Sequence, residues 1–165
     1  MEKTIARFRK VEKSLKAKPW FKKQGWIVSV HPFPAYRAEG ITFHLFKKHW
    51  FNGEGSGIHI ESYLPLDASK RKATYLTFHV LHLAIIPGTK LKRIAIAKPF
   101  VDSIFEKVSQ WEGYKFRAGK YGTQPFSKLF DTGEGFEKEL AVEAERLART
   151  LGPVMDEVLS EVCPE

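Results

Sequence analysis

Apolar and polar side chains alternate with a period of two over four stretches, 26–31, 41–46, 58–64 and 75–83, the pattern of half-buried β-strands. One parity is apolar: Trp26, Val28 and Val30; Ile41, Phe43 and Leu45; Ile58, Ile60 and Leu64; Leu76, Phe78 and Val80. The other parity carries Ser29 and His31, Thr42 and His44, His59, Glu61 and Tyr63, and Tyr75, Thr77 and His79. Joined in one sheet, these strands would bring four of the six histidines and Glu61 onto a common surface. A Pro-rich connection (Pro32, Pro34), a Gly-rich one (52–57) and a polar one (67–72) suit antiparallel neighbours.

Helical periodicity flanks this block. Ile5, Phe8, Val11 and Leu15 recur at three- and four-residue spacing and predict an amphipathic helix that stops before Pro19. A second helix has Pro99 near its first turn, Val101, Ile104, Phe105, Val108 and Trp111 on one stripe, and Gly113 at its end. Short strands follow at 114–118 and 124–130. A last helix should start with Asp131 or Thr132 as N-cap and bury Phe136, Leu140, Ala144, Leu147 and Leu151. Gly152-Pro153 should interrupt it before a short final helix over 155–162.

The order α-β-β-β-β-α-β-β-α predicts a two-layer α+β fold, with an antiparallel sheet of five or six strands and helices on one face. The length, 165 residues, fits a single globular domain over 1–165. Helices should cover the apolar parity, because burying several imidazoles and a carboxylate without partners is costly. Covering both faces would instead turn the histidine surface into a small-molecule cavity.

Charge divides the chain. Residues 1–25 carry nine Lys or Arg against two acids, whereas residues 131–165 carry three against ten, so the first and last helices should attract each other within the fold or between subunits. The middle keeps a basic surplus. A single cysteine, Cys163, permits no internal disulfide, and no stretch is long and apolar enough to span a bilayer; both suit a cytoplasmic protein without membrane contact.

Three functional classes fit these patterns. In the leading one the protein is a non-catalytic module for an anionic ligand, foremost nucleic acid, without a cofactor. His31, His44, His59 and Tyr63 would form its floor, Lys47, Lys48, Lys70, Arg71 and Lys72 its phosphate contacts, and Trp50 a stacking partner. In the second, His59, Glu61 and His79, with His44 alongside, hold zinc or manganese for a metal-dependent hydrolase, since two imidazoles and a carboxylate suffice as ligands. In the third, the oppositely charged terminal helices make an interaction or homo-oligomerising domain. Against all three stands the plain reading of a half-solvated polar sheet face.

Other features carry less. His79 and His82 are spaced as H-x-x-H, but on an extended strand they point to opposite faces. Gly53-Glu54-Gly55-Ser56-Gly57 precedes a strand and not a helix, so it reads as a hairpin turn, or a lip over the sheet, and not as a phosphate cradle. The element order resembles the PD-(D/E)xK nuclease core, yet Ser62 and Tyr63 follow Glu61 where its lysine is required. No G-x-S-x-G, Walker, H-E-x-x-H or C-x-x-C motif occurs.

Overall fold

A computed structural model describes residues 1–34, 39–70 and 72–164. The elements run α1 (Glu2–Lys16), α2 (Pro19–Lys23), β1 (Trp26–Pro34), β2 (Glu39–Lys47), β3 (His59–Pro65), a 3-10 turn (Ala68–Lys70), β4 (Ala73–His79), α3 (Ile94–Ser109), β5 (Tyr114–Phe116), β6 (Phe126–Asp131) and α4 (Phe136–Val162). The six strands form one antiparallel sheet in the order β1-β2-β3-β4-β6-β5. This is the two-layer α+β architecture that the alternating pattern predicts.

The helices lie over the apolar parity. Ile41, Phe43, Leu45, Ile60, Leu76 and Phe78 are completely buried in one core with Phe8 of α1, Phe100 of α3 and Leu147 of α4. Ring contacts tie the layers together: Phe8 meets Phe43 at 5.7 Å and Phe78 meets Phe100 at 4.8 Å. Fully burying each such side chain contributes roughly 1.5–3 kcal/mol. The opposite charges of the first and last helices meet within the fold. Arg7 Nε donates to Glu137 at 2.6 Å, and its Nη2 donates to the carbonyl of Thr132 at 2.8 Å.

Four local expectations are corrected. α4 runs unbroken through Gly152 and Pro153. A proline inside a helix costs about 3 kcal/mol, but the buried face on both sides of it, Leu147 and Leu151 before and Met155 and Leu159 after, offsets that cost. Gly152 is required there by contact, because a Cβ would stand 2.7 Å from Trp26 Cζ2. Pro99 likewise lies inside α3, which starts five residues earlier at Ile94. Asp131 ends β6 and does not cap α4; its Oδ1 accepts from Gly133 N–H at 2.7 Å, and the helix starts after Gly135, whose φ is +84°.

The fourth correction shapes the site. β4 ends at His79 instead of continuing to 83. Leu81 takes a left-handed φ of +59°, Val80 N–H donates to Thr123 O, and His82 N–H donates to Ser56 O. The chain thereby leaves the ladder and turns beside the sheet.

Candidate metal centre

Strand register brings the histidines together. Ser29 faces His44 and His31 faces Thr42 across β1 and β2; His44 faces Glu61 and Thr42 faces Tyr63 across β2 and β3; His59 faces His79 and Glu61 faces Thr77 across β3 and β4. His31, His44, His59, Glu61, Tyr63 and His79 therefore share the sheet face opposite the helices. The His44 and His59 rings stack at 3.8 Å, His59 and His79 stack at 4.5 Å, and His31 meets His44 edge-on at 5.0 Å.

Glu61 is the hub. Its Oε2 accepts from His44 Nε2 at 2.8 Å and lies 3.4 Å from His59 Nε2, while its Oε1 lies 3.2 Å from His79 Nε2. Burial alone would raise this carboxyl, but the imidazoles around it, His44 foremost and then His59 and His79, hold it well below the usual carboxylate range. For His59 burial dominates, reinforced by His44 and His79, and brings the ring down to about 3 against the pull of Glu61. The centre thus holds an anionic carboxylate beside a neutral imidazole.

Asn52, the only asparagine in the chain, sets the proton positions. Gly57 N–H donates to its Oδ1 at 3.1 Å, which fixes the orientation of the amide. His59 Nδ1 lies 2.8 Å from that same oxygen and must carry a proton to donate to it. His59 Nε2 is then a bare lone pair, and it has no hydrogen-bond partner although the residue is 1% exposed. Asn52 Nδ2, 3.4 Å from His44 Nδ1, donates to it and leaves the His44 proton on Nε2, pointing at Glu61.

The turn between β2 and β3 covers this cluster. Gly57 permits a close backbone approach, since a Cβ there would stand 2.2 Å from Phe51 C, and Gly55 crosses over His44. Beyond the turn a cleft of about 800 Å³ opens over the histidines, lined at one end by Glu54, Gly55, Ser56, His82 and Gln124 and at the other by Pro32, Phe33 and Tyr63. His79 Nδ1 is 2.5 Å from His82 Nε2, and its Nε2 is 2.7 Å from the Gln124 amide. Burial first, and then the neighbouring His79, lowers His82 from its ordinary value. Two overlapping trios, His44–His59–Glu61 and His59–His79–His82, offer ligand atoms within 4.8 Å of one another.

Lys47, Lys48, Lys70 and Lys72, expected around a bound anion, lie away from the histidine cluster. Lys47 has the parity of Leu45 and therefore projects to the helix side, where it pairs with Asp156 of α4 at 2.5 Å. Trp50 is completely buried and donates to the same carboxylate at 2.8 Å, so it presents no stacking surface. Exposed Lys48 borders a separate cavity with His49 and Asp156. Lys70 and Lys72 sit beyond the far ends of β3 and β4, six or more residues and thus about 20 Å from His59 and His79. Arg71 lies outside the described residues.

His82, read as facing away from His79, is instead folded back beside it, because Leu81 turns the chain. The sequence pattern does not mark Asn52, Gln124 or Phe33 as site residues. The H-x-x-H spacing did point to His82, and continuing the period-two count from His31 reaches Phe33. Asn52 had only its uniqueness to mark it.

Comparison with family models, with curated proteins and with solved structures returns no match. Among the described residues, no helix is long and apolar enough to cross a membrane.

Proposed function

We propose that this protein binds one divalent transition-metal ion through His59, Glu61 and His79, and uses a metal-bound water to hydrolyse a small molecule held in the cleft. The observation that carries this reading is His59 Nε2, a buried lone pair without a hydrogen-bond partner, facing an ionised carboxylate. Two electron-rich groups in that position repel each other unless a cation lies between them. His59 Nε2 lies 3.4 Å from Glu61 Oε2 and His79 Nε2 lies 3.2 Å from Glu61 Oε1, so the one carboxylate reaches both imidazoles, and an ion among them would replace the Gln124 amide on His79 Nε2.

The surroundings supply what such a ligand set requires. Asn52 takes the second ring proton of His59, His82 meets the second nitrogen of His79, and His44 holds Glu61. Two imidazoles and one carboxylate leave a coordination position for water facing the cleft, and suit zinc first, with manganese or iron also compatible. A bound ion would bring the pKa of that water to about 7 and make a nucleophile at neutral pH.

A polyanion site has less in its favour. Glu54 and Glu61 line the cleft, and Arg117 lines the adjoining pocket that shares Glu61, Tyr63 and Gln124 with it. The interaction-domain reading has less in its favour where Arg7 pairs with Glu137 and Lys18 with Glu145 inside the fold.

The test starts from chelator-stripped protein, dialysed against Zn²⁺ or Mn²⁺ and measured for metal content and thermal stability. About one equivalent should be retained, with a stabilisation of about 2.7 kcal/mol when the ion is at 100 times its Kd. His59→Ala should retain none. Release of p-nitrophenol from p-nitrophenyl acetate by the loaded protein, and not by the stripped form, tests the water-activating step. Wild-type protein that neither keeps an ion nor gains stability from one overturns the proposal.

A further inference from the structure

We infer that the cleft selects a small ligand with an aromatic or apolar body and one metal-coordinating head, in preference to a bodiless anion such as inorganic phosphate. This rests on the metal-centre reading and assigns the substrate class of the same site. The wall facing away from the histidine cluster is built of aromatic rings. Phe33 extends the parity of His31 along β1 and is 48% exposed, in register with Gly40 of β2. Gly40 has no side chain, and the Tyr63 ring occupies that space: a Cβ at position 40 would lie 2.2 Å from Tyr63 Cζ. Tyr63 thereby reaches across β2 to meet Phe33 edge-on, with ring centroids 6.4 Å apart at an interplanar angle of 84°.

Tyr63 follows Glu61 by two residues on one face, so this aromatic corner begins about 7 Å from the carboxylate. That separation suits a ligand whose head is on the metal and whose ring lies along β3 against Phe33. The cleft's volume of about 800 Å³ falls within the range for small-molecule sites. Its charge points the same way. With Glu61 on the ion, Glu54 is the remaining charge among the described residues of its wall, and Arg117 lines only the adjoining pocket that shares Glu61, Tyr63 and Gln124, so the cleft offers a phosphate no cationic partner besides the metal.

The experiment uses Co²⁺-loaded protein and follows the visible cobalt spectrum. Benzohydroxamate, acetohydroxamate and inorganic phosphate are titrated in turn; the first two share a head and differ in the ring. Benzohydroxamate should bind at least about tenfold more tightly than acetohydroxamate, the gain expected from burying a phenyl group. Phosphate should be weaker than both. Phe33→Ala should erase most of the preference, with cobalt content and the ligand-free spectrum unchanged. Equal affinity for the two hydroxamates, or tighter binding of phosphate, in a protein that holds cobalt overturns this inference and leaves the metal centre standing. Failure to take up cobalt at all overturns both.

Discussion

On the helix side of the sheet, Phe43, Ile60 and Phe78 are fully buried beneath α1, α3 and α4. On the other side, His44, His59 and His79 are nearly as buried, at 4%, 1% and 2% exposure, although among the described residues no helix residue lines their cleft. The first face loses water to interdigitated apolar side chains; the second loses it to stacked imidazoles, the Glu61 carboxylate and the 52–57 turn laid over them. Apolar burial is non-directional and tolerates many packings. Polar burial requires every donor and acceptor to have a place, and on this face His59 Nε2 and the Thr42 hydroxyl have none.

The largest effect should come from the apolar face. Phe78→Ala removes a fully buried ring and should cost about 3–5 kcal/mol by denaturant unfolding, with little change in the affinity of the folded protein for metal. A similar loss of affinity would show that the two faces are not independent.

Next comes Asn52→Ala, which strips the acceptor from both His59 Nδ1–H and Gly57 N–H. It should cost about 2–3 kcal/mol and weaken metal binding about 10–100-fold, measured by competition with a chelator. An unchanged affinity would mean that His59 is not a ligand.

Acid should distinguish the faces in metal-stripped protein. His59 has a folded-state value of about 3 against an ordinary 6.5, so the unfolded chain binds the extra proton between those values. Its contribution to stability is complete above about pH 6.5 and is lost as pH falls toward 3, at no more than about 1.4 kcal/mol per unit. His31 and His82, also lowered, add with the same sign, and Glu61 adds below its unfolded value, near 4.3. His59→Gln should flatten the profile between pH 6 and 5 relative to wild type; identical slopes would contradict the buried neutral imidazole.

The smallest effect belongs to the basic residues beyond the far strand ends. Lys70→Ala should alter stability by no more than about 0.5 kcal/mol and leave metal content unchanged, since its contact with Asp67 is long and exposed.

The same contrast explains what the sequence made legible. A period of two sorts side chains between faces whatever the register, so Ile41, Phe43 and Leu45 were readable as core, and His44 with Glu61 as their opposites. That parity also placed Lys47 with Leu45 on the helix side, a consequence that the run of basic residues around it obscured. Backbone turns are not legible: nothing in Leu81 announces a positive φ, so the alternating pattern carries through His82 although the strand ends at His79. Local propensity misled at Gly152-Pro153, where burial of the flanking α4 residues outweighs the proline. Asn52 became informative only once the Gly57 amide fixed the direction of its side chain.

The most direct measurement is the anomalous scattering of a crystal soaked in or grown with Zn²⁺. The account predicts one strong peak within about 2.0–2.2 Å of His59 Nε2, His79 Nε2 and a Glu61 oxygen, with a further position open to the cleft. A fully occupied zinc elsewhere, for example between His49 and Asp156, with the Glu61 cluster vacant, would contradict it.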